Sequence, residues 1–356
     1  MSEMEKMPGG APVGRGTGLN PPNRFERLHI EPDPDCDPSE SVDPRTEFYP
    51  DATESLLTRN DSPDISFRYG LNSYRGCEHG CAYCYARPYH EYLGWGSGID
   101  FETKIMVKLR APELLRRELS SPKWVPQPIG MSGVTDCYQP AERKFRLSRQ
   151  CLEVLAEFRN PVGIVTKNHL VTRDIDVLAE LSKFNCVAVF LTITTLDTEL
   201  SGKLEPRASR PQHRLRAIRE LSAAGIPVGV MVAPVIPGLT EHELPSILEA
   251  AAEAGAKNAG YVILRLPHAV KQIFVDWLER NEPLKKERVL SRVRDLRGGK
   301  LNVSEWATRM KGEGIFAEQV HDMFKVATRR AGLNETRTEL STEHFRSGRY
   351  VQQMLF

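Results

Sequence analysis

The chain has little of what a membrane or extracellular framework would require. None of its apolar runs approaches the roughly 20 residues needed to cross a bilayer, and the opening MSEMEKMPGG lacks the apolar core of a secretion signal. Net charge is almost absent: 48 Lys and Arg face 47 Asp and Glu, a formal +1 over 356 residues. Whole-molecule electrostatics therefore favour neither nucleic acid nor acidic lipid, and such a partner would have to be met by a local patch. Cysteine is sparse and odd in number, seven in all, with Cys36, Cys137, Cys151 and Cys186 scattered and three crowded into eight residues. That distribution excludes a disulfide framework and suits a reducing compartment with a metal site, so a cytoplasmic protein with no membrane partner is expected. Internal repeats are absent as well.

What is present divides into four stretches. Residues 1–60 are rich in Pro, Gly, Asp and Glu, as in GGAPVGRGTGLNPPN and IEPDPDCDPSESVDP. So little apolar surface cannot offset the entropy of ordering, and a largely disordered arm is expected, docking through Phe48 and Tyr49. Residues 61–267 alternate short Val- and Ile-rich runs with amphipathic stretches, the βα pattern of a parallel sheet or barrel. Strands are expected near 69–75, 127–134, 161–166, 186–194, 227–236 and 259–265, and helices near 146–159, 211–224 and 241–254. Residues 268–332 carry helical spacing without intervening strands and predict a helical extension, followed by a tail over 333–356.

The chemistry concentrates in NSYRGCEHGCAYCYARPYH, where Cys77, Cys81 and Cys84 give the spacing CxxxCxxC. Three thiolates on one tight loop can ligate three irons of a cubane cluster, and soft sulfur ligands select iron–sulfur or zinc over hard cations. Three ligands leave the fourth iron open to a substrate or cofactor. Zinc completed by His79 or His90 is the alternative, although zinc knuckles usually come in pairs and there is no second one here. The isolated Cys151 and Cys186 read as core residues.

This motif after the first strand of a βα series, with Tyr83 just before the last cysteine, resembles the signature of the radical S-adenosylmethionine (SAM) superfamily. The wider segment LTRNDSPDISFRYGLNSYRGCEHGCAYCYARPYHEYLG resembles the branch related to spore photoproduct lyase, the DNA repair photolyase-like proteins, over about residues 55–330. The resemblance implies an α/β fold, a partial (βα)6 TIM-type barrel, with the site at the C-terminal strand ends. It implies a [4Fe-4S] cluster on Cys77, Cys81 and Cys84 that cleaves SAM reductively to a 5′-deoxyadenosyl radical, and an electron donor of flavodoxin or ferredoxin type. Lyase-like and transferase-like outcomes both stay open: the substrate expected is a nucleic-acid lesion or base, with modification of tRNA or a peptide as the alternative. A non-enzymatic metal or cluster protein that binds DNA is the reading from another class.

Further site residues follow from the resemblance. In MSGVTDCYQPAE, Ser132, Thr135 and Asp136 match the segment that meets the SAM amino group. Lys167 in IVTKNH stands where a cation would hold the carboxylate, and Thr192 and Thr194 in FLTITTLD would meet the ribose, with Tyr83 also at the cofactor. In APVIPGLTE, Ile236, Gly238 and Glu241 match a GxIxGxxE element whose first glycine is here Pro234, and Ile236 would pack on adenine. Tyr83 and Tyr85 match the lyase's radical-transfer pair. Its hydrogen-donor cysteine corresponds to Gly133 here, so repair of spore photoproduct by that relay is not expected unless Cys137 supplies the hydrogen.

Two features bear on DNA. KKERVLSRVRDLRGGK carries seven Lys or Arg against two acids and could meet phosphates. The terminal Gln352-x-x-Leu355-Phe356 resembles the short peptide by which bacterial replication proteins dock on the DNA sliding clamp.

Overall fold

The computed structural model describes residues 12–25, 45–336 and 338–347. The clamp-like Gln352, Leu355 and Phe356 and the isolated Cys36 lie outside them.

Among the described residues ten strands form two sheets. In chain order they are β1 (Glu47–Pro50), β2 (Leu57–Arg59), β3 (Tyr69–Leu71), β4 (Tyr74–Arg75), β5 (Lys104–Val107), β6 (Ile129–Met131), β7 (Val162–Thr166), β8 (Val187–Thr192), β9 (Val228–Val235) and β10 (Asn258–Ile263). The larger sheet has the order β10-β9-β8-β7-β6-β3-β2. The six strands from β3 to β10 run parallel in sequence order, and β2 joins antiparallel at one edge. β10 and β2 are its two edges, so the sheet is open and the fold is mixed α/β. The smaller sheet, β1-β5-β4, stands apart from it.

The helices are α1 (Ile99–Thr103), α2 (Ala111–Leu119), α3 (Glu142–Phe145), α4 (Leu147–Phe158), α5 (Ile175–Ser182), α6 (Thr198–Leu204), α7 (Pro211–Ala223), α8 (Leu244–Glu253), α9 (Val270–Asn281), α10 (Lys286–Asp295), α11 (Thr308–Lys311) and α12 (Ile315–Arg330). Their apolar stripes account for the packing. On α4, Cys151, Leu152, Leu155 and Phe158 recur at helical spacing and are fully buried. They meet Ile129, Ile164, Val187, Val189 and Leu191 of the sheet in the main core. Cys186 joins the same core directly ahead of β8. Among the described residues no helix is long and apolar enough to cross a membrane.

Strand alternation turns the other residues to the opposite sheet face. There Gly70, Gly130, Gly163 and Ala188 stand side by side across four strands. The Phe67 ring lies against Gly130 in this row, while the space at Gly163 is open.

Composition misled about the N-terminal region where it is described. Residues 12–25 and 45–60 are ordered against the body: Leu19 and Leu56 are buried, Phe48 meets Phe145 edge-on, and Tyr49 packs on Trp95. The polar and glycine-rich composition works here because backbone and amide groups carry the contacts. Ile99 N donates to Leu19 O at 3.0 Å, and Asn20 Nδ2 to Asp100 Oδ2 at 3.0 Å.

Candidate active site

Each parallel strand delivers a loop to the same, C-terminal edge of the sheet. β3 leads to the cysteine loop, β6 to Ser132–Cys137, β7 to Lys167 and Asn168, β8 to Thr194, β9 to Ile236–Glu241 and β10 to Arg265. This is the edge where open α/β sheets bind ligands.

The cysteine loop is clamped on both sides. Arg87, fully buried, donates through Nε and Nη2 to Cys81 O at 3.1 and 2.9 Å, through Nη1 to Gly98 O at 2.9 Å, and pairs with the equally buried Glu102 at 2.5 Å. Glu102 Oε2 then accepts from Gly16 N at 3.0 Å, which ties residues 12–25 to the loop. The packing there admits only glycine. A Cβ on Gly16 would lie 1.7 Å from Gly80 O, and Gly80 itself has φ +67° with Glu102 Oε2 2.6 Å from any Cβ. On the far side Gln139 bridges Glu78 N and Gly76 O at 3.0 and 3.1 Å, and Ala82 N donates to Leu204 O.

Cys77 and Cys81 are buried and Cys84 is partly exposed. Burial pushes all three thiols up; Asp136 adds to the rise at Cys77 and Glu205 at Cys81, while Lys167 opposes it at Cys81 and Cys84. Such thiols become thiolates when a cationic centre takes the place of their protons. Among the described residues no three His, Cys, Asp or Glu groups converge on a single-ion point. His79, the first zinc alternative, is committed at both nitrogens: Nδ1 faces Asp136 at 3.4 Å and Nε2 meets Asn168 Nδ2 at 3.1 Å. His90 is buried between Trp95 and Phe101. Three soft donors spread along one loop suit a cubane, which accepts its ligands at separate corners.

Around the thiols the predicted residues fall into two groups. Lys167 reaches the site: Nζ lies 3.3 Å from Ala233 O and 5.8 Å from the Tyr83 ring centre. Thr194 Oγ1 lies 3.2 Å from the Tyr83 hydroxyl, and Ile236 packs with Cys81 and Tyr83 in one buried cluster. Thr192 is buried, and its carbonyl accepts from Arg214 Nη1 at 2.9 Å. The residues after β6 are instead taken up by the protein. Ser132 Oγ accepts from Cys137 N at 2.8 Å, and Thr135 Oγ1 donates to Tyr74 O at 2.8 Å. Asp136 accepts from Thr166 Oγ1, Tyr138 N and Lys167 N at 2.7, 2.8 and 2.8 Å. Cys137 sits in the main core, 2 % exposed, with burial holding its thiol well above the ordinary range.

The two tyrosines differ sharply. Tyr83 is buried and donates to Glu205, which Thr194 Oγ1 also reaches at 2.8 Å and which pairs with the buried Arg214. Tyr85 is 40 % exposed, donates to Gly133 O at 2.7 Å and lies under Arg265 at 5.3 Å. Sequence reasoning had no sign of Arg87, Glu102, Glu205 or Arg214, since contacts 9 to 15 residues apart follow no periodic pattern.

Burial would raise the carboxyls of Glu205 and Asp136, but Arg214 and Lys167 at Glu205, and His79 at Asp136, bring both down to about 2. Folded values below the unfolded ones give stability that is complete above the unfolded carboxyl range and is lost as pH falls towards 2. A urea midpoint series from pH 6 downwards should therefore decline below about pH 4.5, and less so in Glu205→Gln.

Residues 71–251 match the family model of the radical SAM superfamily. The chain belongs to that superfamily, whose members are enzymes that use a [4Fe-4S] cluster and SAM and need a reductant. An uncharacterized protein of Mycobacterium tuberculosis is 38% identical over 234 residues, 65% of this chain and 68% of that one. An uncharacterized protein of Methanocaldococcus jannaschii is 34% identical over 179 residues, 49% of this chain and 63% of its own. Among solved structures, spore photoproduct lyase complexed with dinucleoside spore photoproduct superposes with TM-score 0.56 at 16% identity, covering 80% of each chain. A variant of that lyase with AdoMet and the same dinucleoside bound gives 0.53 at 16% identity, over 79% of this chain and 78% of the other. At that identity the likeness is one of fold.

Proposed function

We propose that Cys77, Cys81 and Cys84 carry the [4Fe-4S] cluster of a cytoplasmic radical SAM enzyme acting on a nucleic-acid base or lesion, reduced by a flavodoxin- or ferredoxin-type donor. The six parallel strands are then an incomplete (βα)6 barrel. The observation that carries this reading is the trio of thiols on one loop, two buried and Cys84 partly so, with His79 between the first two already held by Asp136 and Asn168. Cluster and SAM, once bound, supply reductive cleavage of the sulfonium and a carbon-centred hydrogen abstractor.

The chain's own groups position and enclose. Lys167 offers its ammonium to the methionyl carboxylate, and Thr192, Thr194 and Ile236 bound the nucleoside. Asp136, saturated by protein donors, orients His79 and the Lys167 backbone rather than meeting the SAM ammonium itself, and Ser132 and Thr135 likewise hold the loop. Tyr85 is the phenol open to a substrate, whereas Tyr83 is sealed behind Glu205 and Cys137 is sunk in the core. Hydrogen return to substrate is therefore assigned to Tyr85: its phenol hydrogen goes to the substrate radical, and the phenoxyl left behind takes one electron from the flavodoxin- or ferredoxin-type donor and a proton from solvent. Tyr85→Phe is expected to lower turnover on the order of a hundredfold while SAM binding is retained, and Cys137→Ala to leave turnover unchanged; rate and SAM affinity measured together check this.

Support for a nucleic-acid substrate comes from the fold shared with a lyase solved on a dinucleoside. Substrate-stimulated 5′-deoxyadenosine formation tests it. Reconstituted enzyme should respond to ultraviolet-irradiated oligonucleotides. Stimulation by tRNA or a peptide, with none from irradiated DNA, would reassign the substrate.

A further inference from the structure

The expected basic run over residues 285–300 lies mostly on the surface, with Arg288, Arg292, Arg294 and Lys300 exposed; Arg288 donates to Gly238 O at 2.7 Å, and Arg292 lies over Phe316 at 4.9 Å. Arg297 is different. It is 2 % exposed, donates to Thr308 O and Leu264 O at 2.8 Å each, and keeps Nε buried without a partner. Arg265, two residues past β10, repeats this. Its Nε is buried and unpartnered, and its nearest acceptor is the weak Met310 sulfur at 3.3 Å. Among the described residues neither guanidinium has a carboxylate within ion-pair distance. Asp64 is bound to Arg309 at 2.5 Å and to Ala307 N at 2.6 Å, and Glu313 offsets Arg297 only at longer range.

A buried guanidinium without a counter-ion is costly, and Arg265, partly buried, adds a second charge to it. Burial pushes Arg297 down to about 10, and Arg265 adds to the fall; Arg265 is lowered by burial and by Arg309. A third cation, Arg309, completes the group, and aromatic faces flank it. Tyr85 lies under Arg265, Tyr89 beside it is 55 % exposed, and Trp306, 52 % exposed, lies 4.0 Å beneath Arg309. Arg309 also holds Ser62, on the rim of a cavity of about 370 Å³ that Arg59 and Arg68 line.

We propose that Arg265, with Arg309 beside it and the buried charge of Arg297 behind it, forms an anion subsite for a backbone phosphate of a single-stranded oligonucleotide, with Tyr89 and Trp306 as stacking faces for its flanking bases. The site rests on the nucleic-acid reading above and deepens it. Interleaved cations and exposed rings are the recurring means of holding single strands, because rings stack on any base while guanidiniums track the backbone. An acidic peptide would satisfy the cations but leave the rings unused. Tyr85, next to Cys84 and under Arg265, joins this subsite to the cysteine loop.

The test is anisotropy of a short labelled oligothymidylate with full-length, anaerobically reconstituted protein over a salt series. Trp306→Ala, on the surface, should weaken binding roughly tenfold. Arg265→Ala should weaken it similarly and reduce the salt slope by about 0.7, the loss of one phosphate contact. Arg265→Lys, which keeps the charge and guards against misfolding, should restore the slope but not the full affinity. Wild-type binding that neither position alters would overturn the subsite and leave the nucleic-acid reading intact. No wild-type binding to any oligonucleotide would remove both, as would capture of a labelled polyglutamate in its place.

Discussion

Replacing Arg87 with methionine is expected to remove about 3–5 kcal/mol of folding stability and to strip the cysteine loop of bound iron. Both Arg87 and Glu102 are fully buried, so the substitution leaves a carboxylate in the interior without its charge partner and frees Cys81 O, Ser97 O and Gly98 O from their common donor. The loss should show as a lower urea midpoint and a reduced iron-to-protein ratio. Pairing Arg87→Met with Glu102→Leu should recover part of the stability, because removing both charges also removes the desolvation cost. It should not recover iron binding, since Cys81 O remains unheld. A double variant as unstable as the single one, or one that regains its iron, would contradict this division of roles.

Glu205→Ala should produce a loss of the same order, about 3–5 kcal/mol, by a different route. Arg214 is 1% exposed and would keep its bonds to Ser209 O and Thr192 O, but its charge would lose the one carboxylate it faces. Tyr83 would lose its acceptor and keep only Thr194, 3.2 Å away. Glu205→Gln retains an acceptor for Tyr83 and is expected to be milder. The comparison is readable in thermal unfolding, with the ultraviolet titration of tyrosine reporting separately on Tyr83. Equal losses in both variants would show that charge, and not the tyrosine contact, sets the effect.

The strand and helix positions were legible because periodicity survives in isolated segments: the Val-rich run 186–194 became β8, and the stripe on 146–159 became α4. The cysteine loop was legible because its ligands are adjacent in sequence. Contacts that depend on distant partners were not. Nothing in the order of residues marks Arg87 and Glu102 as one buried unit, or reveals that Asp136 would be consumed by Thr166, Tyr138 and Lys167. The N-terminal stretch misled for a related reason. Gly16, Asn20 and Asn23 are held by backbone and amide hydrogen bonds, and hydropathy does not register those. The basic run over residues 285–300 is a mostly solvated face, with Arg288, Arg292 and Arg294 exposed, and nothing in its spacing marks Arg297 as the residue that turns into the protein to hold Leu264 O.

The most direct test is electron paramagnetic resonance of the reduced, anaerobically reconstituted protein with and without SAM. A cubane held by three cysteines should give a reduced-cluster signal that changes shape when SAM reaches the open iron, and serine at Cys77, Cys81 or Cys84 should abolish it. A cluster signal that ignores SAM, or that persists in any of the serine variants, would contradict the assignment of this loop as the catalytic centre.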